Sequence, residues 1–233
     1  VESVEVYNNT SIFTPYEPGS IFKPVTMAAA INEDLLSPNS VFHDTGSKDG
    51  ICHKPIRNAD LKIYKDQTMT GVLENSINTG MVYVAEQLGK KQFRHYIEQF
   101  GFGTKEGIEL DSETSGTIDT LGIKKGDDID CYAATASFGQ GITATPLQMV
   151  TAFSAIANGG TLMKPYVVEE FVFPDGQVEK TKPVEIREVL TPRTAALVSG
   201  MMVNVVDSGH AGGASVAGYY VARALLATTD AAV

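Results

Sequence analysis

Two short polar clusters break the apolar stretches of this 233-residue chain, and both could support acyl transfer. The first is Ser20-Ile21-Phe22-Lys23. A serine hydroxyl is a weak nucleophile until a base takes its proton. On a helix, residues three apart share a face with Cβ atoms about 5–6 Å apart, so a lysine at i+3 can reach the serine oxygen. At a helix start, Ser20 would also sit near free backbone N–H groups and a positive dipole end, which suit a developing negative charge. The lysine must be neutral to act as a base, so burial or a cationic neighbour has to depress its pKa. Pro24 fits this arrangement only if the helix begins close to Ser20, because proline is tolerated in a first turn and not deeper. Taken alone, the pattern is weak evidence, and a helix-capping serine followed by a surface lysine is the plainer reading.

The second cluster is Ser76-Ile77-Asn78. A second hydroxyl in a serine–lysine site can relay protons between the lysine and a leaving group. An amide side chain can donate to a substrate carbonyl and accept from the lysine. The plainer alternative is a turn between helices, where Ser and Asn are favoured for local backbone bonding.

The elements that must position these residues are mostly helical. Residues 21–30 form an apolar run after the breaker Tyr16-Glu17-Pro18-Gly19. Residues 69–88 read as two short helices interrupted at Ser76-Ile77-Asn78, with Gly89 as the stop. Another helix is expected over 93–100, closed by Gly101. Thr145 followed by Pro146 is a strong helix start, with Leu147, Val150, Phe153 and Ala157 recurring at helical spacing. Thr191-Pro192 repeats that start and leads into 195–206. Strands are fewer. Residues 166–173, the turn Pro174-Asp175-Gly176 and residues 178–181 predict a hairpin, and 184–190 and 219–226 are further strand candidates. Helices and strands without regular βαβ alternation suggest an α+β fold.

Composition narrows the functional classes. The 43% hydrophobic content suits a single globular domain. A net charge of −10 argues against a nucleic-acid surface. No apolar run approaches the roughly 20 residues that span a bilayer, and Val1-Glu2-Ser3-Val4-Glu5 does not resemble a signal peptide. The chain reads as a segment of something longer. His43, His53, His95 and His210 form no HExxH-type pair, and no metal site is expected. Two cysteines, Cys52 and Cys131, are too few for a disulfide scaffold, and whether they meet is left open.

Segments running the length of the chain point to a known family. Residues 16–26, which contain Ser20 and Lys23, closely resemble the nucleophile segment of the monofunctional, cell-division and elongation type penicillin-binding proteins. Asn75-Ser76-Ile77-Asn78-Thr79-Gly80-Met81 resembles that family's second motif. The likeness continues through Phe100-Gly101-Phe102-Gly103, Gly107-Ile108, Glu113 and Ala136-Ser137-Phe138-Gly139-Gln140-Gly141. It extends to Thr145-Pro146-Leu147-Gln148-Met149, Ile156-Ala157-Asn158-Gly159-Gly160, Val203-Asn204-Val205-Val206 and Gly218-Tyr219-Tyr220-Val221-Ala222.

The resemblance implies a penicillin-binding/serine β-lactamase-like transpeptidase fold, with a helical lobe beside an antiparallel sheet that is incomplete here. Residues 1–233 would be the transpeptidase domain, a fragment of a longer protein. Ser20 is similar to the acylated nucleophile, Lys23 to its general base, Ser76 to the relay serine and Asn78 to the substrate-orienting asparagine. The implied partners are peptidoglycan stem peptides and β-lactams, with no cofactor. The implied location is the extracytoplasmic face of the bacterial membrane, reached through an N-terminal anchor that this chain lacks.

The chain leaves the family pattern most clearly after Ala222, and Gly212-Gly213-Ala214-Ser215 is more flexible than the pattern leads one to expect. Where the family has a Gly-Lys-Thr-Gly-Thr strand, this sequence reads Arg223-Ala224-Leu225-Leu226-Ala227-Thr228-Thr229. That strand binds the substrate carboxylate and completes the oxyanion hole, and losing one hole donor typically costs about 10²–10³ in rate. Arg223 does not match the motif lysine, and its role is not carried over. Three other readings therefore stay open: an inactive remnant or binding module, a serine β-lactamase, or an esterase on the same scaffold. Self-association through exposed sheet edges is a further expectation.

Overall fold

The computed structural model describes residues 8–122, 127–209, 212–217 and 221–222. Among these residues the chain folds around one helix, α2 (Lys23–Asn32), whose residues from Lys23 to Ile31 are all buried. A helix of this composition, with three consecutive alanines and no solvent-facing charge, is stable only when surrounded. It packs against α4 (Asn78–Leu88), α5 (Lys90–Gln99) and α8 (Pro192–Asp207), while α3 (Met69–Glu74) and α7 (Pro146–Ala157) close on α8. A short α1 (Thr10–Phe13) precedes the central helix, and α6 (Cys131–Ala136) lies against α4.

The helix ends follow from capping chemistry. Thr145 accepts from the Gln148 backbone N–H while the Gln148 side chain accepts from Thr145 N, a reciprocal capping box with Pro146 in the first turn. Thr191 caps α8 in the same way without the return bond. Gly89, with φ +73°, separates α4 from α5 as expected. Helix α7 departs from the sequence reading in which face it buries. Gln148, Met149, Thr151, Ala152, Ala155 and Ile156 are inside, while Val150 is 61% exposed. The helix is apolar nearly all round, so spacing alone could not choose a face. Gln148 does, because its amide donates to the carbonyls of Gly101, Thr104 and Ser115 and must be buried to reach them.

Among the described residues the strands form four antiparallel pairs: β1 (Val41–Asp44) with β4 (Lys65–Thr68), β2 (Ser47–Lys48) with β3 (Ile56–Arg57), β5 (Thr161–Met163) with β8 (Glu185–Glu188), and β6 (Glu170–Val172) with β7 (Val178–Lys180). The last pair is the expected hairpin, with Val172 opposite Val178, although its first strand is shorter than the sequence suggested. The strand expected over 219–226 lies outside the described residues apart from Val221 and Ala222. Cys52 and Cys131 form a disulfide that ties the β2–β3 loop to the start of α6.

Candidate functional site

The segment that carries Ser20 and Lys23 folds as a tight turn feeding a helix. Residues Gly19–Phe22 form one 3₁₀ turn, Lys23 opens α2, and Pro24 sits in its first turn, the one place where proline is tolerated. Ser20 therefore lies one turn ahead of Lys23 at a helix start, as its spacing predicts. Both are buried, at 5% and 2% exposure.

The turn is pinned by the segment 137–144. Gly19 N donates to Gly139 O at 2.9 Å, Tyr16 and Ala144 form a bridge, and Gly141 N donates to Glu17 Oε1 at 2.8 Å. The Thr26 hydroxyl donates to Ser137 O. Gly139 has φ +81°, and a Cβ there would lie 2.2 Å from Gly19 O, so only glycine permits this approach.

The second polar cluster closes on the lysine. Helix α3 ends at Glu74, Ile77 N bonds back to Val72 O, and Ser76 takes the left-handed conformation at φ +53°. This backbone costs about 1–3 kcal/mol in a non-glycine residue and persists only where its surroundings fix it. Ile77 is wholly buried and anchors the corner in the core. The strained corner turns both the Ser76 carbonyl and its hydroxyl toward Lys23. The Lys23 amine donates to Ser76 O at 2.5 Å and to Ser76 Oγ at 2.8 Å. Asn78, the first residue of α4, is half-buried, and its amide donates to Arg57 O at 3.0 Å.

Among the described residues no carboxylate pairs with the Lys23 amine, and its burial has a consequence. Desolvation drives the Lys23 amine down from 10.5 to about 7, so a large fraction is neutral at physiological pH. Lys23 and Ser76 are thus in direct contact, and Ser20 lies one turn ahead of Lys23 without a side-chain hydrogen bond to either. Asn78 stands at the same corner but spends one N–H on the backbone of β3.

Sequence reasoning missed a buried carboxylate behind this corner. Asp44 is wholly buried and accepts hydrogen bonds from Thr79, Gly46 N, Asn58 and Tyr64 N. The triplet Asp44-Thr45-Gly46, a turn signal just after a strand, was the only available cue. A second buried carboxylate, Glu106, has an Oε1 atom without a hydrogen-bond partner, and burial together with Glu113 pushes it up to about 7. Among the described residues, no group of three or more His, Cys, Asp or Glu side chains is placed to hold a metal ion.

Residues 2–223 match the family model described as the penicillin binding protein transpeptidase domain. The match ends where the sequence departs from the expected Lys-Thr-Gly strand. Stage V sporulation protein D of Bacillus subtilis is 37% identical over 225 residues, covering 93% of this chain and 33% of that protein. The chain spans about a third of the length of such curated relatives. The D,D-transpeptidase domain of a peptidoglycan glycosyltransferase from Eggerthella lenta superposes with a TM-score of 0.83 at 25% identity, over 92% of this chain and 54% of that one. Penicillin-binding protein 3 from Mycobacterium tuberculosis, complexed with aztreonam, gives 0.77 at 29% identity, over 88% and 45%.

Proposed function

Because the chain belongs to the penicillin-binding protein transpeptidase family, we propose that it is the catalytic core of a serine D,D-transpeptidase acting on peptidoglycan stem peptides and acylated by β-lactams. The observation that carries this reading is the Lys23 amine: buried, free of any acidic partner in its hydrogen bonding, and bonded to Ser76 one turn from Ser20. A neutral amine has two N–H donors and one lone pair. Ser76 O and Ser76 Oγ take the two donors, which leaves the lone pair as base for the Ser20 hydroxyl.

In the first half-reaction the Ser20 oxygen attacks the carbonyl between the two terminal D-alanines as its proton passes to Lys23. Collapse of the tetrahedral intermediate breaks the peptide C–N bond. Ser76 delivers its proton to the departing amine and is reprotonated from Lys23. An acceptor amine then attacks the ester and loses its proton along the reverse route, and Ser20 leaves with its hydroxyl restored. Asn78 would orient the substrate through the part of its amide not held by Arg57. The substrate places the reaction outside the cytoplasmic membrane; among the described residues, no helix is long and apolar enough to cross one.

A second reading rests on one observation. Arg223-Ala224-Leu225 stands where the family carries its Lys-Thr-Gly strand, so a module that binds peptide without chemistry is the competing account. Labelling with a fluorescent penicillin followed by mass spectrometry separates the two. A lasting adduct on Ser20, absent in Ser20→Ala, supports the enzyme; no adduct at saturating dose supports the binding module. Rapid turnover without an adduct would instead indicate a β-lactamase.

A further inference from the structure

Behind the Ser76–Asn78 corner lies a buried polar assembly that the acyl-transfer steps do not use. Its centre is Asp44, at the end of β1. Oδ1 accepts from the Thr79 hydroxyl at 2.6 Å and from Gly46 N at 2.9 Å. Oδ2 accepts from Asn58 Nδ2 at 2.9 Å and from Tyr64 N at 2.8 Å. Burying a carboxylate costs several kcal/mol unless its lone pairs are filled. Here burial would raise its pKa, yet the bonds from Thr79, Tyr64 N, Gly46 N and Asn58 prevail and hold it below the usual carboxylate value. Each of the four groups bonded to Asp44 can donate to it, and the ionised, acceptor-only carboxylate can accept from all of them.

Two of those donors lead directly to the corner. Thr79 is the second residue of α4 and follows Asn78. Asn58 accepts from Thr79 N at 3.3 Å through Oδ1, and its neighbour Arg57 accepts from Asn78 Nδ2 through its carbonyl. Asp44 holds the Asn58 amide by its nitrogen, which aims the amide oxygen at Thr79. Asn78 and Thr79 are therefore tied to the β1–β3 region while Ser76, two residues earlier, faces Lys23 in a backbone conformation that needs outside support.

We propose that Asp44, acting through Thr79 and Asn58, is a positioning residue that fixes the Ser76–Asn78 corner against the Lys23 amine. The proposal rests on the acyl-transfer reading above and extends it to a group that touches no reacting atom. The hydrogen bonds from Lys23 to Ser76 O and Oγ are short and have one strained corner as their common source. A displacement of about 1 Å there can cost on the order of 10² in rate.

Three variants of the intact chain test this. Thr79→Val keeps the side-chain shape and deletes one donor, Thr79→Ser returns the hydroxyl, and Asp44→Asn replaces one acceptor oxygen by an NH2 donor facing groups that donate to it. The expected result is that penicillin labels Ser20 about 10- to 100-fold more slowly in Thr79→Val and Asp44→Asn, with little change in half-saturating dose. Thr79→Ser should remain near the parent. The acidic limb of the labelling rate should also move to higher pH in the slow variants, because a loosened corner admits water to Lys23 and relieves its desolvation.

Lower thermal stability with an unchanged rate per folded molecule and an unchanged pH limb would overturn the proposal. If Asp44→Asn does not fold, the Thr79 pair decides by the same criteria. Should the parent chain acquire no adduct, the acyl-transfer reading fails, and positioning is then judged from the titration of Lys23 followed by carbon NMR at its Cε. A titration moved in Thr79→Val and restored in Thr79→Ser sustains it; identical curves reject it.

Discussion

Replacing Lys23 by methionine should abolish acylation of Ser20 and yet stabilise the fold at neutral pH, with a benefit that shrinks and then reverses as the solution becomes alkaline. The folded amine titrates at about 7 and an unhindered one at 10.5. Between those values the unfolded chain carries a proton that the folded chain lacks, so stability rises with pH across that window. Below 7 the amine is charged in both states and the burial cost is complete. Above 10.5 it is neutral in both and the cost is gone. The gap corresponds to about 5 kcal/mol, of which about 4 kcal/mol falls between pH 6 and pH 10.

Methionine fills a similar volume without charge, but it leaves Ser76 O without its donor, a pH-independent loss of about 1–3 kcal/mol. The variant should therefore be more stable by a few kcal/mol at pH 6 and slightly less stable at pH 10. Guanidinium denaturation of both proteins across this range gives the difference, in which the other titrating groups cancel. A difference that does not vary with pH would mean that Lys23 keeps an ordinary pKa in the fold, and the case for it as a neutral base would fail.

Other outcomes follow from the same geometry. Ser76→Ala keeps the carbonyl bond to Lys23 but removes the relay hydroxyl, so penicillin labelling should slow by about 10²–10⁴ while the melting temperature changes little. Gly139→Ala would drive a methyl group into the backbone of Gly19; thermal melting should report a loss of about 3 kcal/mol or more, together with loss of labelling. Glu106 is neutral in both states below 4.5, and its penalty in the fold builds from there and is complete above about 7, so Glu106→Gln should stabilise by up to about 3 kcal/mol at pH 8 and not at pH 4. Converting Cys52 and Cys131 to serine opens a cross-link spanning 79 positions and should lower stability in denaturant unfolding by up to about 4 kcal/mol.

Much of the helical scaffold and the two polar clusters were legible because their signals are local. A threonine before a proline starts a helix whatever surrounds it, and α7 and α8 begin where Thr145 and Thr191 place them. Serine and lysine three apart share one turn, and an apolar run broken by Ser76 is two helices with a corner between them. The paired strands β1 and β4 were not visible. Lys65-Asp66-Gln67-Thr68 has no apolar alternation, and it is a strand only because Val41–Asp44 lies beside it.

Residue order alone determined which groups are available for chemistry and that Ser20 and Lys23 share one turn. Only the tertiary structure decided that the lysine is stripped of water, that its donors go to Ser76, that Cys52 meets Cys131, and that Thr79 and Asn58 bond to Asp44 behind the corner. Capping and helical spacing act over four residues and are written in neighbouring letters. Desolvation and long-range hydrogen bonds depend on what the rest of the chain brings to the same place, here across the 53 positions that separate Lys23 from Ser76.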